Sequence, residues 1–370
     1  MATTRNQKYW KNPDPWFFGV VILIMGFGLV AVSSASAVLS FRLFGNNNHY
    51  FFRQLIFAVA GFAILYFFTR IDYHIFRKWS RLLILLAIAF LATINIPGLG
   101  FTVGGSKSWI NTGWFFIQPS EFVKLAIIIY LAAWFDRKRE AESNFWFGIV
   151  PPLFIVGLAL GLTVVQPDIG TATVMAVIIA AMLLAAGTRW HYLGGLAVTG
   201  ILGLWLVIKS SPSRAARIVT YLDPNLDPLG VGYQINQALL AIGSGGFWGY
   251  GLGSSRQKHD YLPEPIGDSI FAVMAEELGF ARIMLLVLLF GFLAVRGIMI
   301  AKSAPDRFGQ LLAVGITSWI GLQALINIGA IMNLMPFTGV TLPFVSYGGS
   351  SLVALCAATG IILNISRQRS

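Results

Sequence analysis

Ten continuous apolar runs constrain this chain more than any other feature of its sequence. They lie at 16–39, 52–69, 80–96, 119–135, 145–165, 170–187, 192–208, 269–295, 309–333 and 349–365. Most approach the roughly 20 residues with which a helix crosses a bilayer, and they are apolar throughout rather than alternating, which favours helices over a β-barrel. With 56% hydrophobic and 11% charged residues, the chain has too little polar surface for a soluble domain. The sequence predicts an all-α, polytopic integral membrane protein with ten transmembrane helices.

Basic residues are distributed unevenly between the connecting segments. With a cytoplasmic N-terminus, the inside segments hold 16 of the 26 Lys and Arg residues and the outside segments hold eight. Because cytoplasmic connections of membrane proteins are enriched in these residues, both termini are predicted to be cytoplasmic. The formal net charge of +11 therefore reflects topology, and no nucleic-acid partner is expected.

The runs divide the chain into one transmembrane domain with long loops on the outside. We expect a single domain over 1–370, with cytoplasmic tails at 1–15 and 366–370 and a large extracytoplasmic loop at 209–267 between helices 7 and 8. Glycine, proline and polar residues concentrate in this loop and in 98–117 and 334–348, as expected of binding loops on a rigid scaffold. Within the large loop, 232–242 is predicted to form an amphipathic helix that carries Gln234 towards a lipid headgroup.

Asp268 opens the eighth apolar run inside a carboxylate-rich segment. An aspartate at this position is predicted to cap the helix, and it can also act as a general base that takes a proton from a hydroxyl group. Glu276 and Glu277 follow about 12 Å deeper along the helix, where a structural role is expected. At least one of them needs a partner within the bundle, and Lys124 is a candidate.

A polar stripe begins the fourth apolar run. Gln118, Glu121 and Lys124 recur at intervals of three on an otherwise apolar helix. One interpretation is a Glu121–Lys124 pair that neutralises itself; the other is a cation that faces a cavity and binds an anionic group. Asp168 begins the sixth run after Pro167, either as an ordinary helix cap or as part of the same external cavity.

Two further patterns are candidates for substrate binding. Arg214 and Arg217 lie three residues apart, which suits a pyrophosphate but equally describes a solvated basic turn. Ser346, Gly348 and Gly349 precede the last run, where adjacent glycines allow either close helix packing or an irregular backbone that lines a cavity.

Six blocks in order resemble the SEDS family (shape, elongation, division and sporulation), represented by FtsW and RodA. They are 105–110, 118–121 with Lys124, 166–171, 227–230 with 232–234, 268–279, and 346–350. Gln237, Trp248 and 323–327 resemble the FtsW branch more than the RodA branch. One departure is Arg282, which is costly inside a span unless it pairs with a carboxylate such as Glu277 or faces a partner.

The resemblance implies an inverting glycosyltransferase that polymerises lipid II, with undecaprenyl pyrophosphate as leaving group, at the outer face of the bacterial cytoplasmic membrane. The FtsW branch implies septal synthesis in cell division. A class B penicillin-binding protein and other divisome or elongasome proteins are the implied partners. Asp268 matches the essential aspartate, and Glu121, Lys124 and Lys107 match a polar set around the same cavity. No cofactor is firmly implied, and a transient Mg²⁺ or Mn²⁺ ion is left open.

Three alternatives remain at this stage. A lipid-linked precursor flippase would also use intramembrane charges and broken helix starts, although the ionisable residues cluster near the outer face. A RodA-type elongation polymerase would share all six blocks. A scaffold without catalytic activity would leave Asp268 dispensable.

Overall fold

The computed structural model describes residues 11–103, 105–137, 145–209, 212–223, 226 and 230–368. Within them the chain forms twelve α-helices and one small sheet. The helices are α1 (Pro15–Phe44), α2 (His49–Arg70), α3 (His74–Ala92), α4 (Pro119–Arg137), α5 (Val150–Val165), α6 (Ile169–Ala186), α7 (Trp190–Lys209), α8 (Pro212–Leu222), α9 (Val231–Ser244), α10 (Ile270–Lys302), α11 (Arg307–Ile331) and α12 (Gly349–Arg367). A π-helical turn, Phe145–Ile149, leads into α5.

Each predicted apolar run falls on one helix, namely α1–α7 and α10–α12. Eight of these ten are long and apolar enough to cross a membrane by length and composition. The other two, α3 and α4, are each 19 residues long but carry several charged side chains, among them Arg77, Lys78 and Arg81 on α3. The mostly helical architecture is as predicted.

The start of α1 illustrates how local sequence sets a helix boundary. Asp14 is the N-cap, and its Oδ1 accepts a hydrogen bond from the backbone N–H of Phe17 at 3.0 Å. Pro15 follows, where its missing N–H has no cost. The helix ends at Gly45, which adopts the left-handed conformation with φ 66°, as a C-terminal glycine commonly does.

The loop after α3 contains strands, which the all-α prediction missed. β1 (Gly100–Val103), β2 (Ser106–Asn111) and β3 (Phe116–Ile117) form an antiparallel sheet in the order β1-β2-β3. Gly100 pairs with Ile110, and Ile110 pairs with Ile117. Strand pairing satisfies backbone hydrogen bonds of this connection, whose one helical turn is the 3-10 helix Thr93–Asn95 directly after α3.

The helices differ widely in how deeply they lie in the bundle. In the most apolar 18-residue stretch of α12, 83% of the residues are buried, and in that of α11 67% are buried. By contrast, none of the residues of α7 is buried within the described structure. The centre of the bundle therefore includes α11 and α12 together with α4, most of whose residues are buried, and α7 lies at its edge.

The loop between α11 and α12 packs directly against the bundle. A Cβ atom on Gly28 of α1 would lie 2.3 Å from the backbone oxygen of Phe344, so only glycine permits this approach. The loop 333–348 is thus fixed against α1.

Helix α10 is interrupted at Gly279, which has φ 76° and ψ 174°. The segment 246–251 satisfies the backbone groups that this break frees. The backbone N–H groups of Tyr250 and Gly251 donate to the carbonyls of Glu276 and Glu277 at 3.1 and 2.8 Å, and the N–H of Phe280 donates to the carbonyl of Gly246 at 2.9 Å. The large loop is therefore bonded into the helix two turns beyond Asp268.

Candidate functional site

Asp268 lies at the start of α10, at the end of a tight turn over 264–269. The amide of Gln234 on α9 approaches Asp268 Oδ1 at 3.3 Å, and the Ser269 hydroxyl approaches it at 3.2 Å. Asn327 on α11 donates to the backbone oxygen of Asp268 at 2.8 Å. Three helices therefore converge on this one residue.

The predicted capping role of Asp268 is wrong. The N-cap of α10 is Ser269, whose side chain makes no capping hydrogen bond. The Asp268 carboxylate instead accepts hydrogen bonds from the side chains of Gln234 and Ser269. It is only partly buried, so it remains accessible to a reacting hydroxyl.

The environment of Asp268 changes its proton affinity. Burial and, second, the neighbouring Glu264 carboxylate raise the pKa of Asp268 to about 7. A general base is most effective when its pKa lies near the working pH. This aspartate is therefore poised to exchange protons at neutral pH.

The loop 333–348 holds the Asp268 turn in place. The Ser346 hydroxyl donates to the backbone oxygen of Gly267 at 2.7 Å and accepts from the N–H of Leu342 at 2.8 Å. The N–H of Tyr347 donates to the carbonyl of Ile266 at 2.9 Å. Ser346, predicted to bind substrate, is buried and occupied with backbone groups in this structure.

The sequence left two roles open for Gly348 and Gly349, namely close helix packing and a backbone that lines a cavity. In the structure both glycines lie in packing contacts. The N–H of Gly348 donates to Gln54 Oε1 at 3.3 Å. A Cβ on Gly349 would lie 2.6 Å from the ring of Phe57. Both glycines thus let α12 begin against α2.

A second polar cluster surrounds Lys124, whose side chain is buried. Lys124 Nζ lies 2.8 Å from Glu121 Oε1 and 2.8 Å from Gln323 Oε1, and 4.9 Å from the centre of the Trp319 ring. The predicted Glu121–Lys124 pair is present. Glu121 Oε2 is buried and has no hydrogen-bond partner among the described residues, so one acceptor remains.

Gln118 and Asp168 join this cluster at the N-terminal end of α4. The Gln118 amide donates to Asp168 Oδ2 at 3.3 Å. Asp168 is also the N-cap of α6, because its Oδ1 accepts from the N–H of Thr171 at 3.0 Å. Asp168 is therefore a helix cap, as one interpretation predicted, and it also bonds Gln118, whereas its role in an external cavity stays a prediction.

One loop connects the two clusters. The Gln323 amide donates to the Thr341 carbonyl at 2.9 Å, and Asn327 donates to the Val340 carbonyl at 2.6 Å. A Cβ on Gly170 of α6 would lie 2.1 Å from the Thr338 carbonyl oxygen. The Asp268 turn and the Gln118–Lys124 cluster thus lie on either side of the same backbone segment, at one end of the bundle.

The expected pairing of Glu276 or Glu277 with Lys124 is wrong. Glu277 Oε1 lies 2.8 Å from Lys258 Nζ, and both of its oxygens accept from the Ser34 hydroxyl. Glu276 accepts from the Ser255 hydroxyl at 2.5 Å and from the backbone N–H groups of 256 and 257 at 3.0 and 3.3 Å. The large loop, folded back onto α10, and Ser34 of α1 supply these donors, and Lys124 bonds Glu121 and Gln323 instead.

Arg282 does not pair with Glu277, so one of its two suggested roles is wrong, and the other, contact with a partner, stays a prediction. Its Nη1 donates to the Trp248 carbonyl at 3.3 Å, and the side chain is exposed. Glu277, the suggested carboxylate partner, is already bound to Lys258.

The remaining predicted site residues lie around the same end. Lys107 is partly buried on β2. Its Cε packs on Gly100, because a Cβ added to that glycine would lie only 2.4 Å from it. Arg217 is partly buried on helix α8. On the same helix polar Thr220 is 1% exposed, whereas apolar Leu222 is 76% exposed. The side chain of Arg214 and residues 227–229 lie outside the described part of the chain.

Sequence reasoning missed several residues of the site. Gln323 and Asn327 lie four residues apart in the apolar run 309–333, so they share one helical face. This is the same signal that identified Gln118, Glu121 and Lys124. Glu264 and Lys258 carried no such periodic signal, because they lie in an irregular loop.

The chain was compared with known proteins by sequence and by fold. A sequence model for cell cycle proteins of the FtsW, RodA and SpoVE type matches residues 15–370. Stage V sporulation protein E of Bacillus subtilis is 46% identical over 356 residues, 96% of this chain and 97% of that protein. The probable peptidoglycan glycosyltransferase FtsW of Trichlorobacter lovleyi is 39% identical over 347 residues, 94% of this chain and 91% of that protein.

Solved structures agree with the sequence relatives. A chain of a peptidoglycan synthase complex that coordinates polymerization and crosslinking superposes with TM-score 0.81 and 26% identity, covering 97% of this chain and 98% of that one. The rod shape determining protein RodA of Thermus thermophilus superposes with TM-score 0.71 and 25% identity, covering 97% and 98%. The chain therefore belongs to the FtsW/RodA/SpoVE family.

Proposed function

We propose that this chain is a peptidoglycan glycosyltransferase that polymerises lipid II into glycan strands, with Asp268 as the general base. The single observation that carries the proposal is the Asp268 carboxylate, partly exposed at one end of the bundle with a pKa of about 7. Relatives that cover nearly the whole chain carry the name peptidoglycan glycosyltransferase, which supports the reaction class.

In the proposed reaction the 4-hydroxyl of one sugar attacks the anomeric carbon of another, and the bond to the lipid pyrophosphate breaks. Asp268 takes the proton of the attacking hydroxyl, a step usually worth about 10²- to 10⁴-fold. A single displacement inverts the anomeric centre. Arg217 and Lys107, which carry no ion pair among the described residues, stabilise the negative charge on the departing pyrophosphate, and Arg214 belongs to the same proposal.

Lys124 has a different proposed role from the one its sequence position first suggested. Glu121, Gln323 and Trp319 surround it, so we propose that it orders the substrate-binding wall formed with Gln118 and Asp168. Gln234, bonded to Asp268, orients the base. Ser346, Gly348 and Gly349 contribute to binding through the position of their loop.

We further propose a ten-span topology with both termini cytoplasmic. Ten helices coincide with the ten apolar runs, and the distribution of Lys and Arg favours this orientation. The site then faces the outside of the bacterial cytoplasmic membrane, where lipid-linked precursors are polymerised. The chain over 1–370 forms one domain in this proposal, with the 209–267 loop as its main external segment.

A role in division, at the septum, is the proposed biological setting. FtsW relatives at 37–40% identity support this branch. The relative at 46% identity is named for sporulation, so a sporulation role and a RodA-type elongation role are the alternatives. A class B penicillin-binding protein is the proposed partner, because a structurally similar chain comes from a complex that couples polymerization and crosslinking. Other divisome proteins would join this assembly.

Glycan-strand formation from purified lipid II in proteoliposomes tests the proposal. Asp268→Asn keeps the shape of the side chain and removes the base, so polymer formation should fall by about 10²-fold or more. Asp260→Asn is the matched control, since Asp260 is an exposed carboxylate of the same loop in an ion pair with Arg42; it should polymerise like the wild type. Assays with and without Mg²⁺ or Mn²⁺ address the cation.

Retained polymerisation by a folded Asp268→Asn variant would contradict the assignment of the base. No polymer from the wild type, even together with an active penicillin-binding partner, would favour a flippase or a scaffold instead.

A further inference from the structure

A small pocket lies between α3 and α4 at the opposite end of these helices from the Asp268 turn. Ser80 and Arg81 of α3 and Tyr130, Trp134 and Arg137 of α4 line it, and its volume is about 30 Å³. A cavity of this size admits one or two oxygen-sized groups. The three residues of α4 are spaced by four and three, so they form one face of that helix.

The Tyr130 hydroxyl is the unusual feature of this pocket. Tyr130 is 2% exposed, and its hydroxyl has no hydrogen-bond partner among the described residues. A buried polar group left without a partner costs roughly 1–3 kcal/mol, so most such groups in native proteins are satisfied by protein or by a bound molecule. Since Tyr130 lines the pocket, an oxygen atom bound there would satisfy it.

Two arginines make the pocket suited to an anion. Arg81 is exposed and forms no hydrogen bond or ion pair with any described residue, whereas Arg137 uses one nitrogen to donate to the Arg77 carbonyl. Their remaining guanidinium N–H groups are available, and guanidinium groups bind phosphate through several strong hydrogen bonds.

The level of the pocket along the helices identifies the source of the anion. Arg81 lies seven residues from the start of α3, and Arg137 is the last residue of α4. Trp79 and Trp146, 48% and 71% exposed, lie close by, and Trp134 donates to the Gly148 carbonyl in the turn that carries Trp146. Exposed tryptophans mark the headgroup level of a membrane, and this end of α3 and α4 carries many basic residues.

We propose that this pocket binds the phosphate of an anionic phospholipid, held by Arg81, Arg137 and the Tyr130 hydroxyl. Basic pockets between transmembrane helices on the cytoplasmic side are a known way to bind anionic headgroups. The phosphate oxygens enter the pocket, and the acyl chains lie along the outer surface of α3 and α4. The site is separate from the proposed polymerase centre and does not depend on it.

Native mass spectrometry of the full-length protein with phosphatidylglycerol, against phosphatidylcholine, tests this site. We expect one saturable phosphatidylglycerol site. Tyr130→Phe changes no charge, and it should weaken phosphatidylglycerol binding roughly tenfold or more because the hydrogen bond to a charged group is lost. It should not lower the thermal midpoint of the lipid-free protein. Arg81→Gln should weaken phosphatidylglycerol binding more than Tyr130→Phe does.

Lys78→Gln is the matched control, because Lys78 lies on α3 close to Arg81 and does not line the pocket. It removes the same charge and should reduce binding only through general attraction, roughly fivefold. Wild-type affinity in Tyr130→Phe, or equal losses in Lys78→Gln and Arg81→Gln, would overturn the proposal. Displacement of the lipid by inorganic phosphate at equal concentration would overturn the assignment to a lipid.

Discussion

Two carboxylates share the short turn that presents Asp268. Glu264 has a left-handed backbone with φ 47°, which costs a non-glycine residue of order 1–3 kcal/mol. Its carbonyl accepts hydrogen bonds from the N–H groups of Gly267 and Ser269 at 3.0 and 3.4 Å, and these bonds maintain the turn. The strained conformation brings the Glu264 side chain over Gly267, next to Asp268, where its charge adds to the effect of burial on the pKa of Asp268.

Glu264→Gln should therefore move the acidic limb of the polymerisation pH profile. Asp268 acts as a base only when it is ionised, so the rate should rise with pH through about 7 in the wild type. Removal of the Glu264 charge lowers the pKa of Asp268, so the limb should shift to lower pH. The pH dependence of kcat/KM measures this shift. Glu264→Asp retains the charge and serves as control; an unchanged limb in Glu264→Gln would show that Glu264 does not influence the base.

At the scale of elements, the interruption of α10 is the feature that connects the large loop to the site. Gly249 and Gly279 both have positive φ, 77° and 76°, and pack backbone against backbone. Below them, Glu276 and Glu277 accept hydrogen bonds from residues 255–258. The loop is thus attached to α10 at two levels before it turns back to Asp268.

Gly279→Ala should disturb this attachment. The new Cβ would lie 2.2 Å from the backbone nitrogen of Gly249, and alanine tolerates a positive φ poorly. We expect a loss of about 1–3 kcal/mol in stability, together with loss of polymerisation. Thermal unfolding followed by tryptophan fluorescence measures the first effect.

Gly291→Ala on the same helix is the control, because nothing lies within 4 Å of its Cβ position; it should be neutral or slightly stabilising. If both variants behaved alike, the interruption of α10 would have no special role.

At the scale of the whole molecule, ion pairs and hydrogen bonds join three helices at one end of the bundle. At the end opposite Asp268, the buried Asp14 carboxylate accepts from Arg296 Nη2 at 2.7 Å, and the Asp14 N–H donates to the Ser366 hydroxyl at 2.9 Å. The N–H of Lys11 donates to the Arg367 carbonyl at 3.0 Å. These contacts join the start of α1 to the ends of α10 and α12.

Arg296→Gln should destabilise the fold by about 3 kcal/mol, since it removes the charge of Arg296 from its hydrogen bonds to a buried carboxylate. Arg42→Gln is the control, because the Arg42–Asp260 pair is 56% exposed at both side chains and such pairs contribute about 0–1 kcal/mol. Denaturation of both variants in the same detergent gives the comparison. Adding Asp14→Asn to Arg296→Gln should recover part of the loss, and equal losses for the two arginine variants would contradict this account.

Much of the architecture follows from local sequence. The ten apolar runs predict ten of the helices, and the pattern at 232–242 predicts α9, which is Val231–Ser244. These features depend on residues close together in the chain, so composition and spacing suffice. The family resemblance likewise follows from short blocks in order.

The sequence by itself determined that the chain is a helical membrane protein, which residue types open its helices, and which family it belongs to. Only the tertiary structure decided that Lys124 bonds Gln323, that Lys258 neutralises Glu277, and that 246–251 bonds across the interruption at Gly279. The physical reason is that the partner of a buried charge depends on which helices and loops become neighbours. Lys124 and Gln323 are 199 residues apart in the chain, and no local pattern records that contact.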